Sequence, residues 1–188
     1  MTSHTSQLIL QQAEILIRTR GYAAFSYADL AERLGVTKAA IHYYYPGKED
    51  LVVALTQDYI GRFRAELAAI KADPSPVGAR LRRYGDLFLA GFEKGMLPYC
   101  GALAAERAAL PPRMHPQIED FFQIHLTWIA EMLAEARGNG SFRSGLRNEQ
   151  IALTILSTLE GGSFVGWALD RKAVVLSAFE AVLEGYGL

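Results

Sequence analysis

Cysteine is almost absent from this sequence: Cys100 is the only one in 188 residues. A single thiol closes no intramolecular disulfide, which excludes a stapled framework and suits a reducing, cytoplasmic compartment. The four histidines are scattered, and none pairs with Cys100 at metal-ligand spacing, so no metal is expected. A glycine-rich phosphate loop is missing as well, and the sequence predicts no cofactor. Charge of one sign is not in excess. Nineteen basic residues face twenty acidic ones for a net charge of −1, so global charge lends no support to nucleic-acid binding. Runs approaching the ~20 apolar residues of a membrane span are not evident, and no membrane partner is expected. Met1–Leu10 lacks the charged start and apolar run of a secretory leader. Strict period-two alternation is missing too, which argues against a sheet.

What the chain does have is a large apolar fraction, 51%, with 21% charged residues, enough to bury a sizeable core. Apolar residues recur at spacings of three and four almost throughout, so the expected fold class is all-α, with about nine helices. Ile9, Ala13, Leu16 and Ile17 line one face of a first helix that ends near Gly21. Ser26 followed by Asp29 forms a variant capping box that opens a short helix through Leu34. Gly35 ends it, Thr37 caps another short helix through about Tyr44, and Pro46-Gly47 stops that one. A long helix follows from Lys48 to Ala72, broken by Pro74-Ser75-Pro76. Further helices are predicted over 77–94, 99–110, 115–136, 149–169 and 172–186, with a loop from Arg137 to Asn148.

Two short helices joined by Gly35-Val36 inside a three-helix unit form a helix-turn-helix pattern. Ala28, Leu30, Ala31, Leu34, Val36 and Ile41 supply its small core. From Val36 to Lys48 no acidic residue occurs, a local bias the totals conceal. Lys38, Ala39, Ala40, His42, Tyr43 and Tyr44 are left partly outward, on a helix whose N-terminus suits a major groove. Each has a physical task there. Thr37 and Lys48 suit phosphates, and Lys38 can donate to guanine. Ala39 or Ala40 can meet a thymine methyl, and His42 a base or a phosphate. Tyr43 and Tyr44 carry hydroxyls that reach the backbone. Ser26 and Tyr27, opening the first short helix, complete the candidate DNA-facing set. Periodicity alone leaves each tyrosine equally open to packing, and Tyr45 is expected in the core.

The segment Ile9–Ala54 resembles the DNA-binding part of the tetracycline-repressor (TetR) family. Ile9-Leu10-Gln11-Gln12-Ala13, Arg20-Gly21-Tyr22, Phe25-Ser26-Tyr27-Ala28-Asp29-Leu30-Ala31, the run Leu34 to Tyr45, and Gly47-Lys48-Glu49-Asp50-Leu51 carry the likeness. It covers about a quarter of the chain. The resemblance implies that Thr37–Tyr44 is a recognition helix and that Lys48 grips a phosphate. His42 stands where the family usually has Tyr. It also implies a DNA-binding domain over 1–47 and a ligand-binding and dimerisation domain over 48–188. The last two helices would pair across a twofold axis, and Ile151, Ile155, Leu159, Gly162, Val175, Phe179 and Val182 are the candidate dimer contacts. An intramolecular hairpin burying the same residues is the alternative.

Large apolar side chains with a few polar ones among them suggest an effector pocket. Its candidates are Tyr59, Phe63, Tyr84, Phe88 and Phe92 in the middle of the chain, Cys100 and Leu103 next, then Phe121, Phe122, His125 and Trp128, and finally Phe164 and Trp167. Plain core packing is open for each. Pro98 suits a first helical turn, placing Cys100 near a helix N-terminus where a thiolate is favoured. The stretch Cys100 to Glu106 also resembles a motif in some TetR relatives, in certain of which a cysteine senses oxidants or electrophiles. Cys100 as a small buried hydrophobe is the other reading. Cys100 with His115 or His125 sketches a nucleophile and base, yet no third orienting group stands out, so no catalytic residue is expected and the chain is not expected to be an enzyme. The expected function is a homodimeric transcription regulator, a repressor released from a palindromic double-stranded DNA operator by a small-molecule or thiol-reactive signal. A helical interaction homodimer without specific DNA binding is the alternative.

Overall fold

The computed structural model describes residues 4–140, 142 and 144–188. Among the described residues there are nine α-helices and no strand: α1 (His4–Arg20), α2 (Tyr27–Leu34), α3 (Lys38–Tyr44), α4 (Lys48–Ala72), α5 (Val77–Glu93), α6 (Tyr99–Ala105), α7 (His115–Gly138), α8 (Asn148–Leu169) and α9 (Lys172–Tyr186). Two 3-10 turns, Arg107–Ala109 and Pro112–Met114, replace the end of the helix expected to run to residue 110. The all-α class is therefore correct. Positions 141 and 143 of the expected loop after residue 137 lie outside the described residues.

The helices gather into two compact units, one of residues 1–62 and 99–119, the other of 63–98 and 120–188. As packing units these do not part at residue 47. The first takes in α6, both 3-10 turns and the early turns of α4, because helix-turn-helix side chains alone supply too small a core.

In the first unit, Ile9, Leu10, Ala13, Leu16 and Ile17 of α1 are buried with Phe25, Leu30, Ile41, Leu51, Val52 and Leu55. α2 begins as its local sequence dictates. The Ser26 hydroxyl accepts from the Ala28 and Asp29 N–H groups, and Asp29 Oδ2 accepts from the Ser26 N–H at 2.7 Å. These Ser26 hydrogen bonds hold the Asp29 carboxyl below its ordinary range. Gly35 then turns left-handed at φ +64°, a conformation glycine adopts without a Cβ penalty, and its N–H closes onto the Ala31 and Glu32 carbonyls.

In the second unit, α8 and α9 form the closest pair. Gly162 permits it: a Cβ there would meet the Val175 carbonyl oxygen at 2.6 Å. Ile151, Ile155, Leu159, Val175 and Phe179 are each wholly buried within the chain and Gly162 is buried with them. Six of the seven candidate dimer contacts are thus buried within one chain, and Val182 is half-buried. Leu153 (56%), Phe164, Val165 (50%), Trp167 and Leu169 (52%) of α8 are exposed, and the first, second and fourth of these share the side turned away from α9. α8 also has the length and composition of a membrane span, contrary to expectation. A helix apolar on two sides meets that test whenever one side packs internally and the other faces a further protein surface.

Candidate functional site

The surface of α3 is built from a buried anchor outward. Ile41 is fully buried and fixes the helix to its unit. Thr37 Oγ1 accepts from the Ala40 N–H at 3.2 Å, which caps the helix and leaves the hydroxyl proton free to donate. Thr37, Lys38, Ala39, His42 and Tyr43 are exposed, Ala40 and Tyr44 half-buried, and Tyr45 buried. Tyr43 is 82% exposed. Its ring meets that of Tyr44 edge-on at 5.1 Å. His42 Nδ1 lies 3.0 Å from the Pro46 carbonyl oxygen. Since a carbonyl only accepts, Nδ1 carries the proton, and the neutral ring presents Nε2 as an acceptor.

Three expected DNA-facing residues have polar atoms engaged by the protein itself, Ser26 while remaining exposed. Tyr27 is buried, and its hydroxyl donates to the Tyr45 carbonyl at 2.9 Å. Burial also raises its pKa well above the ordinary value. The Ser26 hydroxyl donates to Asp29 Oδ2 at 2.6 Å while accepting from the α2 backbone, so its bonding capacity is used locally. Lys48 turns inward. Its Nζ donates to the Phe25 carbonyl at 2.5 Å and lies over the Tyr22 and Phe25 rings at 4.4 and 4.3 Å. Burial lowers its pKa. Lys48 therefore clamps α4 to the loop before α2.

Two residues of this unit have no local signal in the sequence. Glu106 accepts from the Tyr22 and Ala23 N–H groups at 2.7 and 2.9 Å, across more than eighty residues of chain. Arg113 pairs with Glu49 and Asp50 at the start of α4, holding the Asp50 carboxyl below its ordinary range. Only chain reversal brings such partners together. Tyr59, Cys100 and Leu103 also lie in this unit; Tyr59 stacks on Tyr99 with ring centroids 4.6 Å apart, and Cys100 is buried.

The other candidate effector residues lie in the second unit. Phe63, Tyr84, Phe88, Phe121 and Phe122 surround His125, with ring centroids between 4.4 and 6.4 Å from its imidazole. Trp128 stacks on Tyr84 at 5.2 Å and donates from Nε1 to the Leu67 carbonyl. His125 is 2% exposed; Nδ1 is 2.5 Å from the Tyr84 hydroxyl, and Nε2 has no partner. Burial pushes its pKa down to about 3. Phe92 meets Trp167 edge-on at 6.5 Å, both partly open to solvent. Glu160 is a further residue without a signal in the sequence. One of its oxygens is buried without a partner, and burial pushes its carboxyl up to about 7.

Comparison with known proteins agrees with this geometry. The family model described as bacterial regulatory proteins, tetR family, matches residues 9–55. The chain is 27% identical over 131 residues to the HTH-type transcriptional regulator EthR of Mycolicibacterium smegmatis, covering 67% of this chain and 56% of that protein. The chain thus spans little more than half the length of this relative. A TetR-family transcriptional regulator from Agrobacterium tumefaciens superposes with a TM-score of 0.92 at 26% identity over 96% of both chains. A TetR transcriptional regulator from Legionella pneumophila gives 0.88 at 26% identity over 98% of both.

Proposed function

The chain belongs to the TetR family of bacterial regulatory proteins, and from that premise we propose that it is a homodimeric repressor that reads a palindromic operator with α3 and leaves it when a small molecule binds. It is a regulator rather than an enzyme. The observation that carries the proposal is the outward set Thr37, Lys38, Ala39, His42 and Tyr43 on a capped helix anchored by Ile41. Lys38 donates to guanine O6 or N7, His42 Nε2 accepts from a cytosine or adenine amino group, and the Thr37 and Tyr43 hydroxyls donate to phosphates. Ala39 lets the helix sit deep. The division of labour places DNA binding in residues 1–47 and effector binding and dimerisation in 48–188.

A half-site reader needs a twofold partner. Leu153, Phe164 and Trp167 form the apolar face that a second α8 would cover, in place of the seven contacts expected from the sequence. The two α3 helices would then stand about 34–36 Å apart, one turn of DNA. The effector favours a state in which α4 no longer holds that spacing, and it must bind that state more tightly to shift anything. A small molecule is the better signal. Cys100 is wholly buried, whereas a thiol sensor needs access.

The test is a mobility shift on the promoter-proximal DNA of the gene, at two salt concentrations, with competitor. A discrete, salt-sensitive complex that loses base preference in Lys38→Ala is expected. Absence of specific binding there and in selection from random DNA would favour a helical interaction homodimer.

A further inference from the structure

The helix-turn-helix is held to its unit by few side chains. Of α2 and α3 together, only Tyr27, Leu30 and Ile41 are buried. So small an anchor lets the pair tilt, and contacts at its entry and exit then set its angle. Both ends are held by the same stretch of chain, the connector between α6 and α7. At the entry, Glu106 accepts from the Tyr22 and Ala23 N–H groups with one oxygen each, at 2.7 and 2.9 Å. Gly21 makes room for it, at φ +90°, since a Cβ there would overlap the carboxylate. At the exit, Arg113 pairs with Glu49 and Asp50. Asp50 also takes a hydrogen bond from the Gly47 backbone, in the turn that leads from α3 to α4.

The connector itself is stiff. Leu110 and Met114 are buried, Pro111 and Pro112 fix their own φ, and His115 Nε2 donates to the Arg107 carbonyl at 3.1 Å. A stiff piece that grips a loosely anchored helix pair at both ends fixes its direction, whereas either grip alone leaves a pivot. Of the two grips Glu106 is the firmer. Its bonds are charge-assisted and end on backbone, so they constrain the chain itself, and the Lys48 ammonium over the Tyr22 ring favours its charge. The Arg113 side chain is 48% exposed, where an ion pair holds more weakly.

We propose that the connector over residues 106–113 is a brace that fixes the angle of α2 and α3, with Glu106 as its principal positioning residue, raising operator affinity without touching DNA. The inference rests on the regulator proposal for its consequence, since the angle matters to function only where α3 reads a groove. Its signature is a sign. An acid near a DNA-binding surface repels phosphates, so by charge alone its loss tightens binding. As a brace, its loss weakens binding to a specific site: an α3 correctly aimed a tenth of the time binds about tenfold more weakly. Non-specific DNA needs no fixed angle and is not bound more weakly.

The experiment combines a measurement without DNA and one with it, on wild type, Glu106→Gln and Glu106→Asp. Gln keeps the length and gives up the charge and one acceptor; Asp keeps the charge and is too short to reach both N–H groups. Pulsed electron paramagnetic resonance between spin labels at Gln11→Cys on α1 and Glu32→Cys on α2, in a Cys100→Ala background diluted with unlabelled chain, reads the angle within one unit. Both variants should broaden or shift the narrow wild-type distance distribution. Unlabelled proteins, shown folded by circular dichroism at the assay temperature, are then titrated onto the duplex that wild type selects from random DNA and onto a scrambled duplex of equal length. Both variants should lose about tenfold on the selected duplex and nothing on the scrambled one. An unchanged distance distribution overturns the proposal, and so does a changed one with selected-site affinity retained. Tighter binding by Glu106→Gln with Glu106→Asp like wild type overturns it too, since Glu106 would then act by charge alone. Parallel losses on both duplexes would make Glu106 merely structural and overturn it as well. A changed distribution in a protein that selects no site supports the brace and removes the regulator reading.

Discussion

If the chain pairs through α8 as proposed, replacing one exposed leucine of that helix should dismantle the dimer while leaving each chain folded. Leu153 is 56% exposed on the face opposite the α9 contact, so about half its side chain remains to be buried by a partner. Full burial of a leucine is worth roughly 1.5–3 kcal/mol, which makes this half about 1 kcal/mol per chain and about 2 per dimer, since a twofold axis uses every residue twice. Leu153→Glu removes that and sets two carboxylates in a covered apolar face, at a further cost of several kcal/mol. The combined loss, about 5 kcal/mol, raises the dimer dissociation constant by roughly three to four orders of magnitude. Sedimentation velocity at micromolar concentration would show monomers with unchanged helical circular dichroism. Palindromic DNA would then be bound only weakly, one half-site at a time. Leu159→Ala, on the buried face, should behave in the opposite way and cost about 2–5 kcal/mol of folding stability. A Leu153→Glu protein that stays dimeric with the wild-type dissociation constant would refute the assignment of the two α8 faces.

Other substitutions test other parts of the structure. Tyr27→Phe deletes the hydrogen bond to the Tyr45 carbonyl and should cost about 1 kcal/mol in urea unfolding, with operator base preference intact; altered base preference would return Tyr27 to the DNA surface. Lys48→Ala should loosen the first unit, lowering its Tm, because the ammonium holds Phe25. A salt slope for DNA binding reduced by about one, with unchanged Tm, would instead make Lys48 a phosphate contact. For Glu160 the sign follows from a folded pKa raised from 4.5 to about 7. Below pH 4.5 both states hold the proton and no penalty arises. As pH rises through 7 the unfolded state ionises first, and the wild type loses up to about 3 kcal/mol relative to Glu160→Gln. His125, lowered to about 3, works oppositely between about 3 and 6.5, but it is common to both proteins and cancels in the difference. Unfolding free energies at several pH values and one protein concentration should diverge upward in pH; parallel curves would mean that Glu160 is solvated.

Features governed by near neighbours along the chain are legible in the sequence. The Ser26–Asp29 box, the Gly35 turn, the Thr37 cap and the Pro74-Ser75-Pro76 break all act within four residues, and the bounds of α2, α3 and α4 match them. The ring cluster about His125 is likewise visible, because α7 carries a sharp apolar stripe. What escapes depends on partners far along the chain. α8 is apolar nearly all round, so periodicity does not tell the face packed on α9 from the exposed one. Tyr27 and Lys48 sit in a DNA-binding pattern, yet Tyr45 and Phe25 capture their polar atoms. Glu106 and Arg113 gain meaning only where the fold brings them to residues 22–23 and 49–50. Glu160 reads as one more acid on a helix, since burial is not written in single-residue chemistry.

The central claim is that α3, presented twice by a dimer, reads DNA. Selection from random DNA with the purified protein at physiological salt, followed by sequencing of the bound pool, tests it most directly. The account predicts an inverted repeat whose half-sites are centred one helical turn apart or a multiple of it, with base preference that relaxes in Lys38→Ala at matching positions of both halves. A pool with no enriched repeat, or one enriched identically by wild type and by the α3 variant, would contradict it.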